Sequence, residues 1–162
     1  MKRIVALVLL PFLLRAVGSG QATTKDTTKE GSPIAPAIDI YEAVLRYQIK
    51  NWELAADSYC IEVNGKDANA TLLSRLSPLP VKRASACRKK TVQKVMMQVV
   101  SRKSGKMSVI FDMEEIHWRT NSEAEVGGGY LCGGLCMAGG TYHVSWDGTR
   151  WTVTEYDIHV QS

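Results

Sequence analysis

The sequence predicts an α+β domain in which one N-terminal helix packs on a strongly curved antiparallel sheet. Three observations lead there. An apolar stripe at three- and four-residue spacing runs from Ile40 to Trp52. Alternating strand-like segments fill the chain from Ser108 onward, and glycine-rich or Asp-Gly turns separate them. The organising stretch is Glu125 to Trp151, two alternating segments around a bend that carries Cys132 and Cys136.

Taken in order, Met1 to Ala22 has the three parts of a secretory signal. Lys2-Arg3 is followed by the apolar run Ile4 to Leu14 and by small residues ending in Gly20-Gln21-Ala22, which places cleavage after Ala22. The run is broken by Pro11 and followed by Arg15, too short for a hydrocarbon core of about 30 Å, so no stable membrane span is expected after cleavage. The protein is therefore expected to be exported, to the periplasm or the extracellular space. Thr23 to Pro36 is polar, with glycine and two prolines, and reads as a disordered linker. The organisation is thus residues 1–22 signal, 23–37 linker and 38–162 a single domain, in keeping with a 162-residue chain.

Asp39 followed by Glu42 resembles a capping box opening a helix from Ile40 to about Trp52. Ser58 to Val63 is a strand stopped by Asn64-Gly65, and Asn69 to Leu76 is a short helix ended by Pro78 and Pro80. Asn69-Ala70-Thr71 also matches a glycosylation acceptor, but Asn69 reads better as a helix cap. Val95 to Val100 is apolar and reads as a strand. In Ser108 to Trp118, Val109, Phe111 and Met113 share one face, and Ile116 and Trp118 have the opposite parity, so a β-bulge is expected at Glu114-Glu115. Tyr142, Val144 and Trp146 share a face, Asp147-Gly148 marks a hairpin, and Trp151 and Val153 return to that face. Tyr156, Ile158 and Val160 change parity again, so a second bulge is expected near Glu155. Two bulged strands imply a curved sheet, of roughly four to six antiparallel strands.

Export places the four cysteines in an oxidising space, where an even count favours disulfides. Three connectivities are open. Cys60–Cys87 with Cys132–Cys136 is preferred, because a short Gly-Gly-Leu bend joins the last two. On the chain-entropy model the first would contribute roughly 3–4 kcal/mol and the second roughly 2.

Charge narrows the partners. Without Lys2, Arg3 and Arg15, 17 of the 20 basic residues remain against 16 acidic ones, so a general attraction to nucleic acid is not expected. The basic residues are nevertheless concentrated. Lys82, Arg83, Arg88, Lys89, Lys90, Lys94, Arg102, Lys103 and Lys106 fall in one acid-free stretch, a candidate surface for an anionic envelope component or an acidic protein.

The patterns Gly128-Gly129-Tyr130, Gly133-Gly134-Leu135, Gly140-Thr141-Tyr142-x-Val144 and Trp151-x-Val153 resemble those of a group of small exported bacterial proteins of unknown function. The likeness extends to Tyr41-Glu42-Ala43-Val44-Leu45, to Val63-x-Gly65-x-Asp67 and to Ser85-x-Cys87, and so covers most of the chain from Ile40 onward. It carries no activity. The helix-then-curved-sheet order is similar to cystatin-like and nuclear-transport-factor-like folds.

Chemistry-bearing residues are few. His117, His143 and His159 have the parity of the solvent face, and no spacing converges metal ligands, so no metal and no cofactor are expected. Cys132 and Cys136 have three residues between them and no helix following, unlike a thioredoxin-type pair, so a structural disulfide is expected. Gly127 to Gly129 lack the Lys-Ser/Thr and the helix of a phosphate loop. The preferred reading is a non-enzymatic binding module. An enzyme would instead need a pocket in the cone of the sheet where Asp112, His117 and His143 converge as acid, base or orienter.

Overall fold

The computed structural model describes residues 36–162 except 54 and 93–95. The signal segment, most of the linker and Lys94 therefore lie outside the described residues. The rest falls in one compact unit spanning Gly31–Ser162.

The fold is α+β. Helix α1 (Ala37–Lys50) precedes strands β1 (Tyr59–Val63) and β2 (Lys66–Asp67), then helix α2 (Ala70–Arg75), β3 (Val81–Arg83), β4 (Cys87–Val92) and β5 (Met96–Ser101). Four long strands complete it: β6 (Val109–Trp118), β7 (Glu123–Gly133), β8 (Cys136–Trp146) and β9 (Trp151–Gln161). The last four form an antiparallel meander. The sheet is not purely antiparallel, as expected from sequence, because β1 pairs in parallel with both β3 and β6. Nor is it limited to six strands; nine belong to it. Hydrophobic alternation reports which face a residue takes but not the direction of its neighbour.

Helix α1 begins at Ala37, so residue 37 belongs to the fold rather than to the linker. The expected capping box is absent. Pro36 occupies the N-cap position, and the Asp39 and Glu42 carboxylates instead meet Arg75 of α2 at 2.6 and 2.8 Å, tying the two helices together. Asn69 does cap α2, accepting a hydrogen bond from the Leu72 amide at 2.8 Å. Asn64 and Gly65 both have positive φ, 52° and 70°, and turn β1 tightly into β2.

The apolar stripe of α1 (Ile40, Val44, Leu45, Ile49) is buried against Ile61, Val109, Phe111, Met113, Val126, Tyr142 and Val144. Gln48 lies in the same interface, and its amide donates to the Gly129 carbonyl at 3.2 Å and the Tyr142 hydroxyl at 2.9 Å. One face of the sheet is thus covered by helix. On the other face a smaller core of Cys60, Cys87 and Val99, with Ile110 and Leu131 beside it, sits under the β4–β5 hairpin.

Both expected bulges are present. The β6–β7 register shifts between Met113 and Ile116, and the β8–β9 register shifts between His143 and Val144, leaving Thr154 unpaired beside Glu155. Two further shifts were not expected, one between Leu131 and Gly133 where β7 pairs with β8, the other between Gly139 and Gly140 where β8 pairs with β9. The latter sets Val160 opposite Gly139, so Val160 leaves the face that Tyr156 and Ile158 share.

Cys60–Cys87 and Cys132–Cys136 are the bonded pairs, as preferred from sequence. Among the described residues no helix is long and apolar enough to cross a membrane.

Candidate functional site

Because cross-strand partners share a face, the register writes out the helix-free face row by row. One row reads Glu62, Asp112, Gly129, Gly139 and Val160 across β1, β6, β7, β8 and β9. The next reads Gly127, Thr141 and Asp157, with the Glu114 carboxylate lying over Gly127. Three glycines on neighbouring positions leave the sheet without side chains there, and the result is a groove of about 530 Å³. Asp112 and Glu114 stand at one side, and Leu131, Met137, His159 and Val160 complete the lining.

Some of these glycines are structurally required and one is not. A Cβ on Gly129 would run into the Ala138 carbonyl, whereas one on Gly139 would meet Val160 Cγ1 at 3.5 Å and the Gly128 carbonyl at 3.9 Å, both ordinary contacts. A β-carbon can therefore be added to the groove floor at Gly139 without disturbing the backbone.

Asp112 is the buried carboxyl of this groove. Burial pushes its pKa up, and the neighbouring Glu62 and Glu114 carboxylates add to the rise, while its own backbone amide opposes it. A carboxyl whose pKa rises on folding contributes stability below its ordinary range, and that contribution is lost as pH rises through the raised value. Asp112→Asn is therefore expected to raise the urea midpoint at neutral pH and to leave it unchanged near pH 3, where the carboxyl is already protonated (about 3.9 is its ordinary pKa). A loss of stability at neutral pH would contradict this assignment.

The histidines fall elsewhere on the same face. His117, Glu125, His143 and Glu155 form a further row, alternating basic and acidic side chains over four strands. Arg119 pairs with Glu125 at 2.6 Å and, as the largest cause, holds that carboxyl below its usual range. His143 reaches Asp157 at 3.0 Å through Nε2 and Glu125 at 3.5 Å through Nδ1. Asp112 lines the groove, but His117 and His143 do not, so the trio an enzyme would need is not assembled in one cavity.

Sequence reasoning missed one cluster. His143, Glu155 and Asp157 bring one ligand atom each within 4.8 Å of one another. They lie on adjacent strands, where Thr141 pairs with Asp157 and His143 with Glu155, and no linear spacing signals that. With one imidazole nitrogen and two exposed carboxylates it could hold a divalent cation only at the surface.

The basic stretch is spread over several elements. Lys82 lies 3.9 Å from Asp57, and Arg102 donates to the Cys87 carbonyl at 3.2 Å. Arg83 ends β3, and Lys103 and Lys106 lie between β5 and β6. Arg88, Lys89 and Lys90 are exposed on β4, an edge strand that pairs only with β5. Charges on such an edge discourage pairing with another sheet.

No family model, curated protein or solved structure matches this chain. The functional reading therefore rests on the geometry alone.

Proposed function

We propose that this is an exported, non-enzymatic binding module of the bacterial envelope, with its site in the glycine-floored groove. The observation that carries the reading is the distribution of material on the two faces of the sheet. Helix α1 and the apolar residues beneath it fill the space an enzyme of nuclear-transport-factor-like fold would use as its pocket. The opposite face keeps a groove with carboxylates on one side and Leu131, Met137 and Val160 among its apolar lining. Such a site suits a cationic group carried on a short apolar chain, since an ammonium near Asp112 would offset the repulsion from Glu62 and Glu114. Two disulfides and the expected signal are compatible with export. The helix-then-bent-meander order supports a cystatin-like or nuclear-transport-factor-like arrangement, from which the parallel pairing of β1 departs.

Hexylamine is a simple probe for this chemistry. It is expected to shift backbone NMR resonances of Asp112, Leu131 and Gly139, while hexanoate does not. Gly139→Val, which adds a side chain to the floor at a position that accepts a β-carbon, is expected to remove those shifts and keep the folded spectrum. Shifts that persist in Gly139→Val, or equal shifts with hexanoate, would count against the groove as the site.

The enzymatic alternative draws on one observation, the raised pKa of Asp112, which would suit a general acid. Its candidate partner bases in the groove are the Glu114 carboxylate and His159, a residue of the exposed end of β9.

A further inference from the structure

We propose that the tip formed by the β7–β8 turn and the first residues of β5 beside it docks on an anionic lipid surface, with Leu135 and Met96 entering the hydrocarbon boundary. Turn and strand are joined. Gln98 pairs with Gly133, and the Gly134 amide donates to the Met97 carbonyl at 2.9 Å. Leu135 is 79% exposed and Met96 48% exposed, and both line one shallow depression of about 340 Å³ with Val92, Met97 and Met107.

The disulfide gives this arrangement a purpose. Cys132 and Cys136 close a small ring around Gly133, Gly134 and Leu135, so the leucine is held outward by a fixed loop. Its ordering cost is met in the fold rather than at the moment of binding. A free-standing turn with two glycines would not hold an apolar side chain in one place.

Charge selects the partner. Arg88, Lys89 and Lys90 lie on the strand that runs to this tip, and among the described residues no carboxylate lies within ion-pair distance of them. A soluble polysaccharide or acidic protein surface would satisfy the cations but leave Leu135 and Met96 in water. An anionic bilayer satisfies both, each basic residue near its surface strengthening binding roughly five-fold.

The test is flotation of the intact, oxidised protein with vesicles of phosphatidylcholine containing about 30% phosphatidylglycerol, against phosphatidylcholine alone. Binding is expected to the anionic vesicles only, and to fall about tenfold or more as salt rises from about 0.05 to 0.3 M. Leu135→Ser with Met96→Ser is expected to weaken it about tenfold with little change in the melting temperature, because Leu135 is largely and Met96 about half exposed. Arg88→Ser, Lys89→Ser and Lys90→Ser together are expected to abolish it. Leu135→Trp is expected to add a blue-shifted emission component on the vesicles. No vesicle binding at low salt, binding indifferent to the Leu135 and Met96 changes, or heparin displacing the vesicles with those changes having no effect on either, would each overturn the proposal.

Discussion

Phe111→Ala is expected to lower the unfolding free energy by about 3–5 kcal/mol, the largest loss from any single truncation in this domain. Phe111 is fully buried near the start of β6, the strand that carries β1 on one side and β7 on the other. Its ring meets Trp52, just past α1, at 6.0 Å and near-perpendicular, Tyr59 of β1 at 5.7 Å, and Tyr130 of β7 at 6.5 Å. These edge-on contacts contribute beyond simple area burial. Truncation would empty the point where helix and three strands meet, and no flexible neighbour can collapse into it, since Trp52 and Tyr130 are already packed together at 4.8 Å. Phe111→Leu, which keeps most of the volume, should cost under about 1.5 kcal/mol. Urea denaturation of the two variants checks this. A loss below about 1 kcal/mol for the alanine variant would mean that the aromatic cluster is not the centre of the core.

How much of this was legible follows from what each signal is made of. The stripe of Ile40, Val44, Leu45 and Ile49 is a one-dimensional pattern, and it located α1 and its buried face. The start of α1 was misread because Asp39 and Glu42 answer to Arg75, a partner that only the tertiary fold brings near. The parity change between Met113 and Ile116 was readable because apolar residues stand on both sides of it. The shift at Gly139 was not, since the glycine has no side chain and the end of β9 is exposed on both faces. Asp112 could be named as a candidate, but its groove could not. The groove is made of missing side chains on three strands, and only the register aligns them.

Cys60→Ala with Cys87→Ala is the second change expected to have a large effect, and its signature is local as well as global. The bond closes a loop with a sequence separation of 27, which on the chain-entropy model is worth roughly 3–4 kcal/mol. It also joins β1, inside the sheet, to β4, at the sheet edge, through the small core that contains Val99. Besides that bond, the hairpin is held by the Gln98–Gly133 pair and by backbone hydrogen bonds from Gly134 to the Met97 carbonyl and from Ser108 to the Val99 carbonyl, far fewer than join the strands of the meander. Removing the bond should therefore release β4 and β5 before the β6–β9 meander. Hydrogen exchange is expected to show amides of Lys89 to Val92 and Met97 to Val100 losing protection while those of Tyr142 to Val144 keep theirs at low denaturant. The Cys132→Ala with Cys136→Ala variant closes a far shorter loop and should lose only about 2 kcal/mol. If both double variants lost protection uniformly across the sheet, β4 and β5 would have to be integral to the main core. The small cluster around Cys60 would then not be the separate unit that the contacts describe.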